Sequence, residues 1–165
     1  VVSARREIRL TDEDAPFATV DSTSFLRGDG GCGDAGKVAR LGEPIPGRAP
    51  DREVTLPIRA DAALIYRLSG DLNPLHIDPA YAARAGFDRP ILHGLCTFAM
   101  AGRVIWGDLE QPSLLRRIGC RFSGVVFPGE ALTVQVWEDA PARSFRAKVG
   151  ERTVIDEGAA VIAES

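Results

Sequence analysis

Two ionisable side chains, Asp71 and His76, stand five positions apart and could carry acid–base chemistry. They flank the pair Asn73-Pro74, and proline keeps its predecessor out of the helical region, which predicts irregular backbone that can turn both side chains toward one point. A carboxylate beside an imidazole can hold a water molecule and move a proton near neutral pH, an arrangement that contributes about 10² to 10⁴ in rate. This loop is therefore a candidate acid–base site.

Local chemistry alone leaves structural interpretations of this region open. An Asp-x-Asn-Pro sequence is more often a turn whose side chain caps its own backbone, and His76 could be a buried histidine with satisfied hydrogen bonds. Asp78, which precedes Pro79, is interpreted as a helix cap, and Tyr66 and Tyr81 as wall or core residues. The histidines and acids lack a metal-ligand spacing, so we predict no metal and no cofactor.

The element that follows this loop is the strongest helix candidate, Gly94–Gly107. It is apolar nearly all round, with Arg103 as its only charge, and we expect such a helix to be buried. The free N–H groups at its start, after His93 and Gly94, can stabilise an oxyanion, although a glycine before a helix is also ordinary chain geometry.

The remaining periodicity predicts an α+β fold in which an antiparallel sheet is wrapped around that helix. Asp61 is placed to cap a helix Ala62–Ser69 that stops at Gly70, and a short helix Ala80–Ala85 follows Asp78. Strands are predicted over Arg52–Ile58, Leu114–Ser123, Ala131–Asp139, Ser144–Val149 and Thr153–Ala163.

The beginning of the chain has a different organisation. Val1–Leu10 and Phe17–Leu26 predict a β-hairpin, which is only marginally stable alone and needs a surface to pack on. Arg27–Gly36 contains five glycines and is followed by several prolines, so it predicts a linker and a domain boundary. It lacks the Gly-Lys-Ser/Thr ending of a phosphate-binding loop.

Composition narrows the classes of partner. The 165 residues carry a net charge of −3 with scattered basic side chains, so we expect no nucleic-acid partner. The apolar runs are too short for a membrane span, and no signal peptide is visible. Three widely spaced cysteines fit reduced thiols, which predicts a cytoplasmic protein.

The stretch Tyr66–Leu95, YRLSGDLNPLHIDPAYAARAGFDRPILHGL, resembles the hydratase signature of the MaoC-like family, the type-2 or (R)-specific enoyl-CoA hydratases. Arg121-Phe122 and Phe127–Glu130 resemble the family's next strand and its Pro-Gly-Glu turn. The resemblance implies a hot-dog fold in which Gly94–Gly107 is the central helix.

The resemblance also implies a site and a reaction. Asp71 and His76 would be the catalytic dyad, Asn73 a positioning residue and the Gly94 backbone N–H the oxyanion donor. The implied enzyme is a hydro-lyase that reversibly hydrates trans-2-enoyl-CoA to (3R)-3-hydroxyacyl-CoA, with CoA as part of the substrate. The alternatives are a non-catalytic acyl-CoA-binding hot-dog subunit, or a hot-dog thioesterase or acyl-carrier-protein dehydratase.

Double hot-dog members of this family suggest a domain organisation. Residues 1–29 would be the terminal hairpin of a truncated N-terminal hot-dog domain, 30–50 the linker and 51–165 the catalytic domain. Cys32 departs from the aromatic residue expected after the glycine pair. We expect the chain to form a homodimer or to associate with a second hot-dog domain.

Overall fold

The computed structural model describes residues 1–26, 28–33, 36, 42–107 and 115–163. The chain forms two compact units, Val1–Leu41 and Gly42–Ser165. The first unit contains an antiparallel hairpin of β1, Val2–Arg9, and β2, Pro16–Ser24. The hairpin prediction is therefore confirmed. Arg27 and Leu114, at which the glycine-rich segment and one strand are predicted to begin, lie outside the described residues, as do residues 34–35 and 37–41 of the predicted linker.

The second unit is a five-stranded antiparallel sheet with one long helix. The elements, in chain order, are β3 Arg52–Pro57, α1 Ala62–Tyr66, the 3₁₀ turns Arg67–Ser69 and Pro74–His76, α2 Pro79–Arg84, α3 Gly94–Trp106, β4 Leu115–Phe122, β5 Ala131–Asp139, β6 Ala142–Val149 and β7 Arg152–Ile162. The strand order in the sheet is β3-β5-β6-β7-β4. This arrangement confirms the α+β class.

The core of this unit lies between α3 and the sheet. In β5, alternate residues Leu132, Val134 and Val136 are fully buried, as the two-residue period of a strand requires. The helix contributes Ala101, Val104 and Ile105 to the same core. Its burial is confined to one side: Leu95 is 60% exposed, which differs from the expected burial all round and leaves an apolar surface at the start of the helix.

The far end of α3 is held by arginines from the sheet. The guanidinium of Arg52 donates to the Val104 carbonyl at 3.2 Å, and that of Arg143 donates to the Ile105 carbonyl. Carbonyls in the last turn of a helix receive no hydrogen bond from within the helix, so donors from elsewhere can bind them. Cations at this end also interact favourably with the helix dipole. These contacts fix the helix to β3 and β6.

A bulge in β7 shapes the sheet. Glu157 has a φ of 51°, and the β6–β7 register shifts after Phe145. A Cβ on the next residue, Gly158, would lie 2.4 Å from the Phe145 carbonyl oxygen, so this position requires glycine. Bulges bend and twist the strand that carries them, which here helps the sheet curve around α3.

The predicted cap at Asp61 is wrong. Its carboxylate makes no capping bond and instead pairs with the Arg59 guanidinium at 2.7 and 2.8 Å, a charged donor that competes with the helix N–H groups. The helix ends at Tyr66 and tightens into a 3₁₀ turn, which stops at Gly70 (φ 108°) as predicted. Asp78 is a cap as predicted, since its carboxylate accepts from the N–H groups of Ala80 and Tyr81.

Two further predictions concern membrane-spanning helices and cysteines. None of the helices in the described part of the chain is long and apolar enough to cross a membrane. Cys32, Cys96 and Cys120 are free thiols, and burial raises the pKa of Cys96 and raises that of Cys120 to about 12. These two half-buried thiols are therefore protonated and unreactive at neutral pH.

Candidate active site

The loop between α1 and α2 is shaped by side chains that bond its own backbone. The Asp71 carboxylate accepts from the Asn73 N–H at 3.2 Å, and the Asn73 side-chain oxygen accepts from the Leu75 N–H at 3.0 Å. Asn73 is extended (φ −53°, ψ 123°), as expected before Pro74. The turn interpretation is therefore confirmed, and it is compatible with an acid–base site because these bonds hold the backbone between Asp71 and His76.

His76 is held in one tautomer. The side chain is 9% exposed, and its Nδ1 lies 2.8 Å from the carbonyl oxygen of Ile91. A carbonyl oxygen can only accept a hydrogen bond, so Nδ1 carries the ring proton. The neutral ring therefore keeps a lone pair on Nε2, which can accept a proton from a reacting molecule.

The structure brings Asp71 and His76 together and adds a third residue, His93. One carboxylate oxygen of Asp71 and one ring nitrogen of each histidine all lie within 4.8 Å of one another. Asp71 is exposed whereas both histidines are buried. A water molecule or a substrate can thus reach the cluster on the side of the carboxylate.

His93 is the member of this cluster that the sequence analysis did not include among the candidate site residues. It is 1% exposed, its ring stacks on that of His76 with centroids 3.7 Å apart, and its Nε2 lies 3.2 Å from the Asp71 carbonyl oxygen. Burial lowers the pKa of His93, which keeps the ring neutral at physiological pH. The available signal was its type: it is the second of only two histidines, directly before the long helix.

Gly94 is the first residue of α3 and is exposed. The N–H groups of Cys96 and Thr97 bond the His93 carbonyl at 3.1 and 3.2 Å, but the N–H of the first helical residue has no acceptor within the helix. A Cβ at Gly94 would lie 3.4 Å from the Phe122 ring. This is ordinary van der Waals contact, so the free N–H follows from the position of Gly94 at the helix N-terminus. It lies one residue from the imidazole cluster, at a helix end where developing negative charge is favoured.

Tyr66 forms part of the wall of the site. Its ring lies 4.8 Å from that of His93, and burial raises the pKa of its phenol, with smaller contributions from Cys96 and Asp71. The phenol is therefore neutral at physiological pH. Tyr81, by contrast, is 39% exposed and its ring faces the Arg84 guanidinium at 5.4 Å, which places it on the surface and not in the core.

The segment that carries Ile91 and His93 is tied to the sheet. The Leu92 N–H donates to the Val126 carbonyl at 2.7 Å, directly before the turn Phe127–Glu130. The Arg152 guanidinium bonds both carboxylate oxygens of Glu130, at 2.7 and 2.8 Å.

Within this turn, the Phe127 N–H also bonds the Glu130 carboxylate, at 2.7 Å. Burial alone would raise the pKa of Glu130, but the bonds from Phe127 and Arg152 outweigh it and hold that pKa below its usual value. The charged carboxylate is thus a stabilising part of the support beneath the site.

The cluster has the donor types of a zinc site but not the arrangement. Two imidazoles and a carboxylate are a known ligand set for zinc, whose ligands converge tetrahedrally at about 2.0 to 2.2 Å. Here the two rings stack with only 28° between their planes. Imidazole lone pairs lie in the ring plane, so those of His76 and His93 extend side by side and do not converge on one ion. The absence of a metal stays a prediction.

Comparison with known proteins defines the class. Residues 42–160 match the family model of the MaoC like domain. The chain therefore belongs to the MaoC-like family, and the fold is the hot-dog fold that the sequence predicted. A MaoC-like dehydratase from Phytophthora capsici superposes with a TM-score of 0.91 at 34% identity, over 99% of this chain and 58% of that one.

The chain is also similar to curated proteins of Mycobacterium tuberculosis. It is 45% identical to 3-hydroxyacyl-thioester dehydratase Y over 84% of the present chain, and 51% identical to enoyl-CoA hydratase ChsH3 over 70% of the present chain. These matches cover 51% and 41% of the two relatives, so the chain spans about half the length of the curated relatives it matches.

Proposed function

We propose that this chain carries the catalytic hot-dog unit of an (R)-specific hydro-lyase, which reversibly hydrates trans-2-enoyl-CoA to (3R)-3-hydroxyacyl-CoA in fatty-acid or related acyl-CoA metabolism. The observation that carries the proposal is the meeting of the Asp71 carboxylate with the His76 imidazole, within 4.8 Å. The relatives named enoyl-CoA hydratase and 3-hydroxyacyl-thioester dehydratase support the reaction class, and the resemblance of Tyr66–Leu95 to the type-2 signature supports the stereochemistry.

In the proposed mechanism, Asp71 and His76 hold one water molecule against the double bond of the substrate. The dyad takes a proton from the water as the oxygen attacks C3, and it returns a proton to C2 on the same face. The water is consumed and the dyad ends in its starting protonation state. Asn73, whose side chain starts the turn that carries His76, is the proposed positioning residue of this loop.

The Gly94 N–H is the proposed donor to the thioester oxygen. Attack at C3 moves negative charge onto that oxygen as an enolate, and one preorganised donor of this kind contributes about 10² to 10³ in rate. The thioester itself acidifies the C2 position, so the proposed reaction needs no metal or redox cofactor. Turnover that is unchanged after extensive chelation would agree with this part of the proposal.

We also propose that residues 1–29 belong to a second hot-dog domain, joined through 30–50 to the catalytic domain 51–165. The support is that the curated relatives are about twice as long as their matched part. Association, as a homodimer or with a second hot-dog domain, would appear in sedimentation as a species larger than the monomer. The cytoplasmic location stays a prediction, since several similar hydratases carry the word peroxisomal in their names.

The test is loss of enoyl absorbance when the chain is mixed with crotonyl-CoA and with a longer trans-2-enoyl-CoA. We expect hydration, and we expect the product to be oxidised by an R-specific 3-hydroxyacyl-CoA dehydrogenase. Release of free CoA thiol in place of hydration would favour a thioesterase. Acyl-CoA binding without turnover would favour the non-catalytic subunit, and oxidation by only an S-specific dehydrogenase would contradict the stereochemistry.

A further inference from the structure

His93 occupies a helix-capping position without acting as a side-chain cap. Its backbone carbonyl receives the first bonds of α3, from Cys96 and Thr97, but the imidazole makes no capping bond. Residues that cap through a side chain are usually serine, threonine, aspartate or asparagine. The identity of this residue is therefore not explained by the helix that it precedes.

The imidazole instead contacts both members of the proposed dyad. Its Nε2 lies 3.2 Å from the Asp71 carbonyl oxygen, so the Nε2–H donates to the backbone of that residue. Its face lies on the His76 ring, with centroids 3.7 Å apart and planes 28° apart. Each contact constrains one side chain of the pair, and a single rigid ring makes both.

The other ring nitrogen is consistent with a fixed, neutral ring. With the proton on Nε2, Nδ1 is left with a lone pair, and it is buried without a hydrogen-bond partner among the residues that the structure describes. An unsatisfied buried acceptor costs free energy. A phenylalanine or leucine would fill a buried position beside aromatic rings without that cost, which points to a role for the Nε2–H.

We propose that His93 is a positioning residue: its Nε2–H holds the Asp71 backbone while its ring face supports His76, so that the carboxylate and the His76 Nε2 stay close enough to share one water molecule. This inference rests on the proposed hydratase function. His93 itself touches neither the water nor the acyl chain in this arrangement.

The test compares two substitutions of His93 by residues with an amide side chain. Each amide places its nitrogen near the position of one imidazole nitrogen. Glutamine places its side-chain NH₂ where histidine has Nε2, whereas asparagine reaches only as far as Nδ1. We expect His93→Asn, which loses both contacts, to lower kcat for crotonyl-CoA hydration about 10²-fold, a loss that a displacement of about an ångström can cause. We expect His93→Gln, which keeps the donor to the Asp71 carbonyl but loses the ring face, to retain a clearly larger share of kcat. KM should stay within about 3-fold in both variants because His93 does not contact the substrate.

Equal kcat values in the two variants, or a rise in KM in place of a fall in kcat, would overturn the role of His93 if the wild-type chain is active. An inactive wild-type chain contradicts the proposed function itself, and the positioning role with it, so the two failures are distinguishable. If His93→Asn does not fold, ¹⁵N spectra of the imidazoles in the wild-type protein test the inference instead. The protein has only two histidines, and a His93 ring protonated on Nδ1 overturns the inference.

Discussion

His76 and His93 stack face to face, with ring centroids 3.7 Å apart, and carry their protons on opposite nitrogens. His76 donates from Nδ1 to the Ile91 carbonyl, and His93 donates from Nε2 to the Asp71 carbonyl. The two rings thus join the loop after α1 to the segment before α3. Two imidazolium rings at this separation would repel each other, so the stack favours at least one neutral ring.

The burial of His93 predicts how stability depends on pH. Because its pKa is lowered in the folded protein, the unfolded chain binds the proton more readily, at a pKa of about 6.5. The contribution of His93 to the free energy of unfolding is then complete above that pH. It decreases as the pH falls toward the folded pKa, by up to about 1.4 kcal/mol per pH unit.

The measurement is denaturant unfolding of the wild type and of His93→Gln between pH 5 and pH 8, a range of about three units around the histidine pKa. The difference in the free energy of unfolding between the two proteins should be constant in the upper part of this pH range. As the pH falls, the difference should change in favour of the variant. Curves that stay parallel throughout would show that His93 takes up its proton equally well in both states.

Removal of either dyad member should lower turnover while the fold is kept. Asp71→Asn retains an oxygen for the Asn73 N–H, and His76→Asn retains a donor near the Ile91 carbonyl but lacks Nε2. We expect kcat for crotonyl-CoA hydration to fall by about 10² to 10⁴ in each. Asp78→Asn is the matched control, since asparagine is also a good cap, and it should stay near wild-type activity. Near-normal turnover in either dyad variant would exclude that residue from the chemistry.

Gly94 allows the proposed oxyanion N–H to be removed by a single substitution. Gly94→Pro deletes the N–H at the first helical position, where proline is well tolerated, and His93 already has the extended conformation (φ −58°, ψ 132°) that a following proline requires. We expect kcat to fall by about 10² to 10³. Gly94→Ala adds the same Cβ beside Phe122 but keeps the N–H, so its kcat should fall far less. If kcat falls equally in both variants, the loss comes from the added Cβ beside Phe122 and not from the missing N–H.

The Glu130–Arg152 pair should contribute to stability more than a surface pair does. Glu130 has a side chain that is only 20% exposed, and it receives bonds from Arg152 and from the Phe127 N–H. We expect Glu130→Gln to lower the free energy of unfolding by about 1 kcal/mol, or the melting temperature by about 2 to 4 °C. Glu151→Gln, at a carboxylate that is 99% exposed, is the control and should change little.

The lowered pKa of Glu130 gives this effect a pH dependence. The contribution of the charged carboxylate is complete above the unfolded glutamate pKa of about 4.3 and is lost as the pH falls through the lower, folded pKa. The difference between wild type and Glu130→Gln should therefore shrink at acidic pH. A difference that grows on acidification would contradict the assigned hydrogen bonds.

Features that depend on neighbouring residues were predictable from the sequence. The strand Ala131–Asp139 was predicted with the bounds that the structure shows, and the cap at Asp78 and the start of α3 at Gly94 were also correct. Alternation, capping residues and the turn at Asn73 are local signals, so no knowledge of the tertiary structure was needed. The resemblance of Tyr66–Leu95 then indicated which side chains of the loop would meet.

Features that depend on distant partners were not predictable in this way. Asp61 has the right type and position for a cap, but the Arg59 guanidinium binds its carboxylate instead. His93 acquires its role from the carbonyl of Asp71 and the ring of His76, and neither contact leaves a signal in the adjacent sequence. The one-sided burial of α3 likewise follows from where the sheet lies, not from the helix's own composition.

The carboxylate, both imidazoles, the Ile91 carbonyl and the helix N-terminus all come from one uninterrupted segment, Asp71–Gly94. The sheet supports that segment, through bonds such as the one from Leu92 to Val126, but adds no member to the imidazole cluster. The acid–base groups and the scaffold are therefore carried by different parts of the chain. Substitutions confined to Asp71–Gly94 can remove the acid–base groups while the buried residues of the sheet are unchanged.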